Sequence, residues 1–116
     1  MEVRVMLDEE EIGRVRIRGI DEGMGIATGE FQPCKGYAHV RPLFRSLSDA
    51  GQTREVPEKL WKERDALKLR VLNLDGAMLK VDRVMIYDFD IEGEYLVDMR
   101  ILKLDQWARL STDKLR

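Results

Sequence analysis

Residues 2–18 read EVRVMLDEEEIGRVRIR, in which apolar and charged side chains alternate on both sides of a run of carboxylates. Alternation with a period of two is typical of strands that bury one face. If Glu9–Glu11 form the connection, apolar residues face apolar residues across the pair. The register predicted in this way pairs Leu7 with Gly13, Val5 with Val15 and Val3 with Ile17. We therefore expect an antiparallel hairpin at the amino end, followed by a short third strand over residues 26–31.

The middle of the chain changes to a helical period. Apolar residues follow the i, i+3, i+4, i+7 spacing of a buried helix stripe at Val40, Leu43, Phe44 and Leu47. Pro42 falls inside this stripe, so either the helix begins near Arg41 or residues 37–40 form a separate turn. The polar residues 50–56 predict a connection, and Pro57 predicts the start of a second helix.

Strand patterns return in the last part of the chain. Asp75-Gly76 is a tight-turn dipeptide between apolar residues, which predicts a two-residue hairpin turn. This turn would pair Leu74 with Ala77 and Leu72 with Leu79. Strand character continues over residues 84–89 and 95–104, and residues 105–110 could form one helical turn that carries Trp107 inward.

This order of strands, helices and strands predicts an α+β fold. We expect a mainly antiparallel β-sheet of about five to six strands, hairpins at both ends of the chain, and two central helices packed on one face. The 116 residues, of which 44% are hydrophobic, suit one core, so residues 1–116 are predicted to be a single domain. Residues 111–116 are expected to be a frayed tail.

Charge and cysteine content restrict the function classes. The net charge of −2 makes nucleic acid an unlikely partner, and Arg14, Arg16 and Arg18 are expected to line the solvated face of a strand. A weak anion patch or RNA binding there is the alternative. Cys34 is the only cysteine, which excludes an intrachain disulfide and favours a reducing compartment. No segment has signal-peptide or membrane-spanning character, so we expect a cytoplasmic protein without a membrane partner.

The glycine-rich segment is the first candidate ligand site. Gly23, Gly25 and Gly29 could expose backbone amides to a phosphate. However, their spacing matches neither a P-loop nor a dinucleotide fingerprint. Turns that need glycine geometry are therefore the preferred interpretation.

The acidic segment 88–98 is the candidate metal site. Asp88, Asp90 and Glu92 alternate ahead of Gly93 at the sixth position, as in a calcium loop. The twelfth position is Met99 instead of a carboxylate, and the flanking segments look like strands. A solvated turn is therefore preferred over calcium binding.

No residue is predicted to be catalytic. Cys34 and His39 form the only cysteine–histidine pair, but they lie five residues apart and no third group is at hand to orient the histidine. A packing thiol and a surface histidine are the preferred interpretation. No cofactor is predicted.

The leading functional hypothesis is a non-catalytic protein-interaction or regulatory module that self-associates as a homodimer. Methionine and aromatic residues can form an adaptable apolar patch, and the interface candidates are Tyr95, Met99 and Trp107. The alternative is a small enzyme or ligand-binding domain that uses the glycine-rich loop and the acidic segment 88–98.

Overall fold

The fold is a curled antiparallel sheet with two helices packed against it. The computed structural model describes residues 1–52, 55–88, 95–103, 105 and 107. Within these residues the strands are β1 (Glu2–Leu7), β2 (Glu10–Asp21), β3 (Ile26–Pro33), β4 (Arg70–Asn73), β5 (Met78–Leu79), β6 (Val81–Asp88) and β7 (Tyr95–Ile101). The helices are α1 (Arg41–Gln52), which follows a 3-10 turn at Lys35–His39, and α2 (Glu58–Leu67). These elements confirm the predicted α+β class.

The strand order explains why the sheet curls. The order is β5-β4-β1-β2-β3-β7-β6, and every neighbouring pair is antiparallel. β5 and β6 lie at opposite ends of this order, yet only Lys80 separates them in the chain. Because one residue spans only a few ångströms, the two ends of the sheet must come close together. The Leu102 amide donates to the Lys80 carbonyl oxygen at 3.1 Å and ties this junction to the end of β7.

The described strands number seven, more than the five to six predicted. The difference arises at Lys80, where the hydrogen-bonded ladder of β5 ends and that of β6 begins on a different neighbour. Residues 78–79 and 81–88, which only Lys80 separates in the sequence, are therefore divided between the two ends of the sheet.

The predicted register of the first hairpin was wrong by two residues at Val3 and Val5 and by three residues at Leu7. Val3 pairs with Val15, Val5 with Gly13 and Leu7 with Glu10. The turn falls at Asp8 and Glu9, where Asp8 adopts a positive φ of 55°, and the register shifts between Val5 and Met6. Before the bulge the shift is even and keeps each side chain on its face, so the valines stay inside and Arg14, Arg16 and Arg18 stay exposed as expected.

The register of the second hairpin, formed by β4 and β5, differs from the predicted register by one residue. Leu72 pairs with Met78, and Val71 pairs with Leu79. The Asn73 amide donates to the Ala77 carbonyl oxygen at 2.9 Å, so the loop between this pair has three residues instead of the predicted two, with Gly76 at a φ of +94°. The Asn73 side-chain oxygen accepts the Ala77 amide hydrogen at 2.9 Å and closes this wider loop. Leu74 consequently lies in the turn and is exposed.

The helices begin where the prolines predicted. The 3-10 turn precedes α1, and Pro42 occupies the first helical turn, where proline is tolerated. α1 continues to Gln52, so the predicted connection at 50–56 is shorter than expected. α2 begins after Pro57, and in its first turns Lys62 Nζ lies 3.6 Å from Glu58 Oε1.

The buried apolar residues form one cluster, and most of them lie on the inner face of the curled sheet. β1, β2, β3, β6 and β7 each contribute their inward residues, and α1 adds Phe44 and Leu47 from the side. Trp107 joins this cluster, which confirms that it points inward. Neither helix in the described part of the chain has the length and apolar character needed to cross a membrane.

Candidate functional site

The structure places the three predicted interface residues in or beside the core. Met99 and Trp107 are fully buried in the single chain, so neither side chain offers area to a partner in this conformation. Tyr95 is partly buried, and its ring meets the edges of Phe31 and Tyr37 with centroids 6.3 and 5.9 Å away. Edge-to-face aromatic packing of this kind stabilises a core.

The candidate glycines serve different structural roles. Gly23 and Gly25 lie in the turn between β2 and β3, where Gly25 has a φ of +67°. Gly29 is buried in β3, and a Cβ added there would overlap the Arg16 carbonyl oxygen. In the turn, the Asp21 carboxylate already accepts the Met24 amide hydrogen at 3.1 Å. A carboxylate in that position repels an anionic ligand, so the geometry does not favour phosphate binding.

The candidate metal ligand Asp88 belongs to a buried polar network. Its carboxylate is fully buried, accepts the Tyr37 hydroxyl hydrogen at 2.9 Å and lies 3.3 Å from Arg41 Nε. Asp90 and Glu92 lie outside the described residues. Within the described residues, no group of three or more histidine, cysteine or acidic side chains could hold a metal ion. The contacts of Asp88 are those of a structural carboxylate.

Tyr37 is the aromatic member of this network. Burial, together with the hydrogen bond to Asp88, raises the pKa of its hydroxyl well above the usual range. The phenol therefore stays protonated and donates to Asp88. This network joins the 3-10 turn to β6 across 51 positions of sequence.

Cys34 and His39 each contact a different carboxylate of the first hairpin. The Cys34 thiol donates to Glu11 Oε2 at 3.4 Å, and His39 Nε2 lies 3.5 Å from Glu10 Oε1. Burial raises the pKa of the Cys34 thiol, and the Glu11 carboxylate raises it further. A nucleophilic cysteine needs the opposite shift, so this environment opposes thiolate chemistry.

The outer face of β3, β7 and β6 carries the candidate functional site. Leu96 points outward from β7 and is 54% exposed, with Glu30 opposite it on β3 and Tyr87 opposite it on β6. A depression of about 590 Å³ lies over these strands. We call this surface the association face and define it by Arg18, Glu30, Tyr87, Leu96 and Asp98.

Polar contacts hold the rim of the association face in place. Arg18 forms an ion pair with Glu30, and the Tyr87 hydroxyl donates to Asp98 Oδ2 at 3.1 Å. Burial, followed by the nearby Asp98 charge, raises the pKa of the Tyr87 hydroxyl. The face therefore has an apolar centre between one cation and two carboxylates.

Sequence reasoning did not identify Leu96, although a signal was present. In the run Tyr95-Leu96-Val97-Asp98-Met99, the inward positions are 95, 97 and 99, which puts Leu96 on the same face as Asp98. A large aliphatic residue on the polar face of a strand indicates a surface contact. Aromatic and methionine content drew attention to the inward positions of the same strand instead.

Comparisons with protein-family models, with curated proteins and with solved structures find no match to this chain. The function is therefore argued from the geometry of the chain itself.

Proposed function

We propose that this chain is a non-catalytic interaction module that binds a second copy of itself through the association face. The observation that carries this proposal is the exposed Leu96, which lies at the centre of the association face and lines a depression of about 590 Å³. An aliphatic side chain in this position loses its contact with water when a partner covers it.

The charges around Leu96 favour a second copy as the partner. A two-fold contact places each surface against its own copy, so the surface must be self-complementary. The association face has both signs of charge, with Arg18 at 61% and Glu30 at 47% side-chain exposure. Arg18 of one copy can therefore meet a carboxylate of the other, which favours the paired arrangement over a purely acidic or basic partner.

The surroundings of the other candidate groups support an interaction role over the alternatives. The raised pKa of Cys34 opposes nucleophilic chemistry, and in the glycine-rich turn Asp21 already accepts the amide hydrogens of Met24 and Gly25. On the arginine face, the Glu11 and Glu30 carboxylates lie beside Arg14 and Arg18, and these carboxylates would repel the phosphates of a nucleic acid. A free, partly buried Cys34 also suits the cytoplasm, which we retain as the proposed location.

The oligomeric state tests this proposal. We expect the purified chain to have the mass of a dimer by light scattering, and Leu96→Lys to reduce that mass to a monomer because it buries a charge at the contact. Leu102→Lys is the matched control, since Leu102 is 59% exposed but lies beyond the end of β7.

A monomeric wild-type chain at every concentration tested would overturn the proposal. A dimer that Leu96→Lys leaves intact would show that association uses another surface. Circular dichroism of both variants establishes that any change in mass does not come from unfolding.

A further inference from the structure

A second cavity lies beside the association face, between the helices and β6. It has a volume of about 330 Å³. Leu47, Ser48 and Gly51 of α1 line one side, Trp61 of α2 lines another, and Met85 and Tyr87 of β6 form the floor. A volume of this size is within the range of small-molecule sites.

The lining of this cavity carries no charge among the residues that the structure describes. Val56 completes this described lining, and none of its side chains is ionised at neutral pH. This is unusual in a chain in which 36% of residues are charged. Three neighbouring cavities on the molecule each contain charged side chains of both signs. The chemistry of the uncharged cavity therefore favours an uncharged occupant.

The two aromatic residues that line the cavity, Trp61 and Tyr87, each contact a polar side chain outside it. The Arg64 guanidinium lies 4.4 Å from the centre of the Trp61 ring, and Arg64 itself does not line the cavity. The Tyr87 hydroxyl is bonded to Asp98, which also lies outside it. Side chains that are already ordered by such contacts lose little conformational entropy when a ligand binds.

Ser48, the serine among the described lining residues, already makes two hydrogen bonds within the protein. Ser48 Oγ donates to the Phe44 carbonyl oxygen at 2.7 Å and accepts the Asp88 amide hydrogen at 2.9 Å. It therefore presents no free hydroxyl hydrogen to an anion. Shape and aromatic contact remain as the main sources of recognition.

The geometry points to a binding site for a small, uncharged aromatic molecule in this cavity. Trp61 and Tyr87 would contact its ring, and Leu47, Val56 and Met85 would surround its edge. The cavity and the association face share Tyr87, but Leu96 does not line the cavity, so the two proposals are tested at different residues.

Titration with indole, followed by two-dimensional NMR of the labelled chain, tests the inference. We expect saturable shifts of the Gly51 amide and the Trp61 indole N–H. Indole-3-acetate is the charged probe of similar shape, and we expect it to bind at least about tenfold more weakly, since its carboxylate would lose water without gaining a partner.

Gly51 provides a matched pair of variants. A Cβ added there has no heavy atom within 4 Å, so Gly51→Ala can be accommodated, and Gly51→Phe adds a ring to a residue that lines the cavity. We expect Gly51→Ala to bind indole like the wild type and Gly51→Phe to lose at least about tenfold in affinity, because its ring occupies the cavity. A shift of the Trp61 indole N–H resonance in the ligand-free Gly51→Phe variant would show that the introduced phenyl ring lies in the cavity.

Absence of saturable shifts with indole would overturn the inference, as would equal binding of indole-3-acetate. Unchanged affinity in a Gly51→Phe chain whose Trp61 resonance has moved would do so as well. None of these results depends on the mass of the protein, so failure here is distinguishable from failure of the proposed self-association.

Discussion

Gly29 illustrates at the scale of one residue how close packing restricts the sequence. It is buried in β3 opposite Ile17, and an added Cβ would overlap the Arg16 carbonyl oxygen and lie 2.7 Å from Val15 Cγ1. The backbone oxygen cannot rotate away. We expect Gly29→Ala to lower the free energy of unfolding by about 1–3 kcal/mol, measured by urea denaturation.

Gly23 is the control, because it belongs to the same glycine-rich segment but is exposed. A Cβ there would come no closer than 3.4 Å to another atom, which is ordinary contact. Gly23→Ala should therefore change stability by less than about 0.5 kcal/mol. Equal effects of the two substitutions would contradict the distinction between a packing glycine and a turn glycine.

At the scale of elements, one hydroxyl connects α1 to the edge of the sheet. Ser48 is buried on α1 and accepts the amide hydrogen of Asp88 at the end of β6. Removing the hydroxyl leaves a buried amide without its acceptor. We expect Ser48→Ala to reduce the free energy of unfolding by about 1–3 kcal/mol in chemical denaturation.

Ser46 tests whether this effect depends on the contact and not on helix composition. It lies on the same helix but is exposed. Because alanine is a better helix former than serine, Ser46→Ala should leave stability unchanged or slightly higher. A loss as large as that of Ser48→Ala would indicate that the serines act within the helix alone.

The hairpins show which features of an element the sequence could predict. Alternation in residues 2–18 placed the valines inside and the arginines outside, and both assignments are confirmed. The register was wrong because the bend occurs at Asp8, whose positive φ permits a tight turn, and because a bulge follows Val5. Several turn geometries preserve the same alternation, so the pattern alone does not choose among them.

At the scale of the whole molecule, the buried Tyr37–Asp88 contact makes stability depend on pH. The pKa of Tyr37 is raised in the folded chain, so the native state holds this proton more tightly than the unfolded state does. The resulting stabilisation is fully present below the ordinary tyrosine pKa of about 10 and is lost as the pH rises beyond it. We expect the free energy of unfolding to fall above pH 10, by about 1.4 kcal/mol per pH unit for this one proton.

Urea denaturation between pH 8 and pH 11 measures this effect, in steps of about half a pH unit. Tyr37→Phe should be about 1–3 kcal/mol less stable than the wild type at pH 8, because Asp88 loses a donor. The two proteins should converge as the pH rises, while Tyr87, whose pKa is also raised, contributes equally to both. Parallel curves would contradict a buried, protonated Tyr37.

The sequence by itself determined the class of the fold and the faces of its elements. Periodicities of two and of 3.6 are local properties of the chain, and Pro42 and Pro57 restrict the backbone at their own positions. These signals were sufficient for an α+β protein with a mainly antiparallel sheet and two central helices.

Only the tertiary structure decided which surfaces are available for function. The curl brings β5 and β6 toward each other, and the order of the strands places Leu96 between Glu30 and Tyr87. Met99 and Trp107 became core residues for the same reason, since burial depends on what the rest of the chain places around a side chain. The cavity between Trp61 and Tyr87 likewise joins residues 26 positions apart, a proximity that follows from packing between elements and that no local pattern encodes.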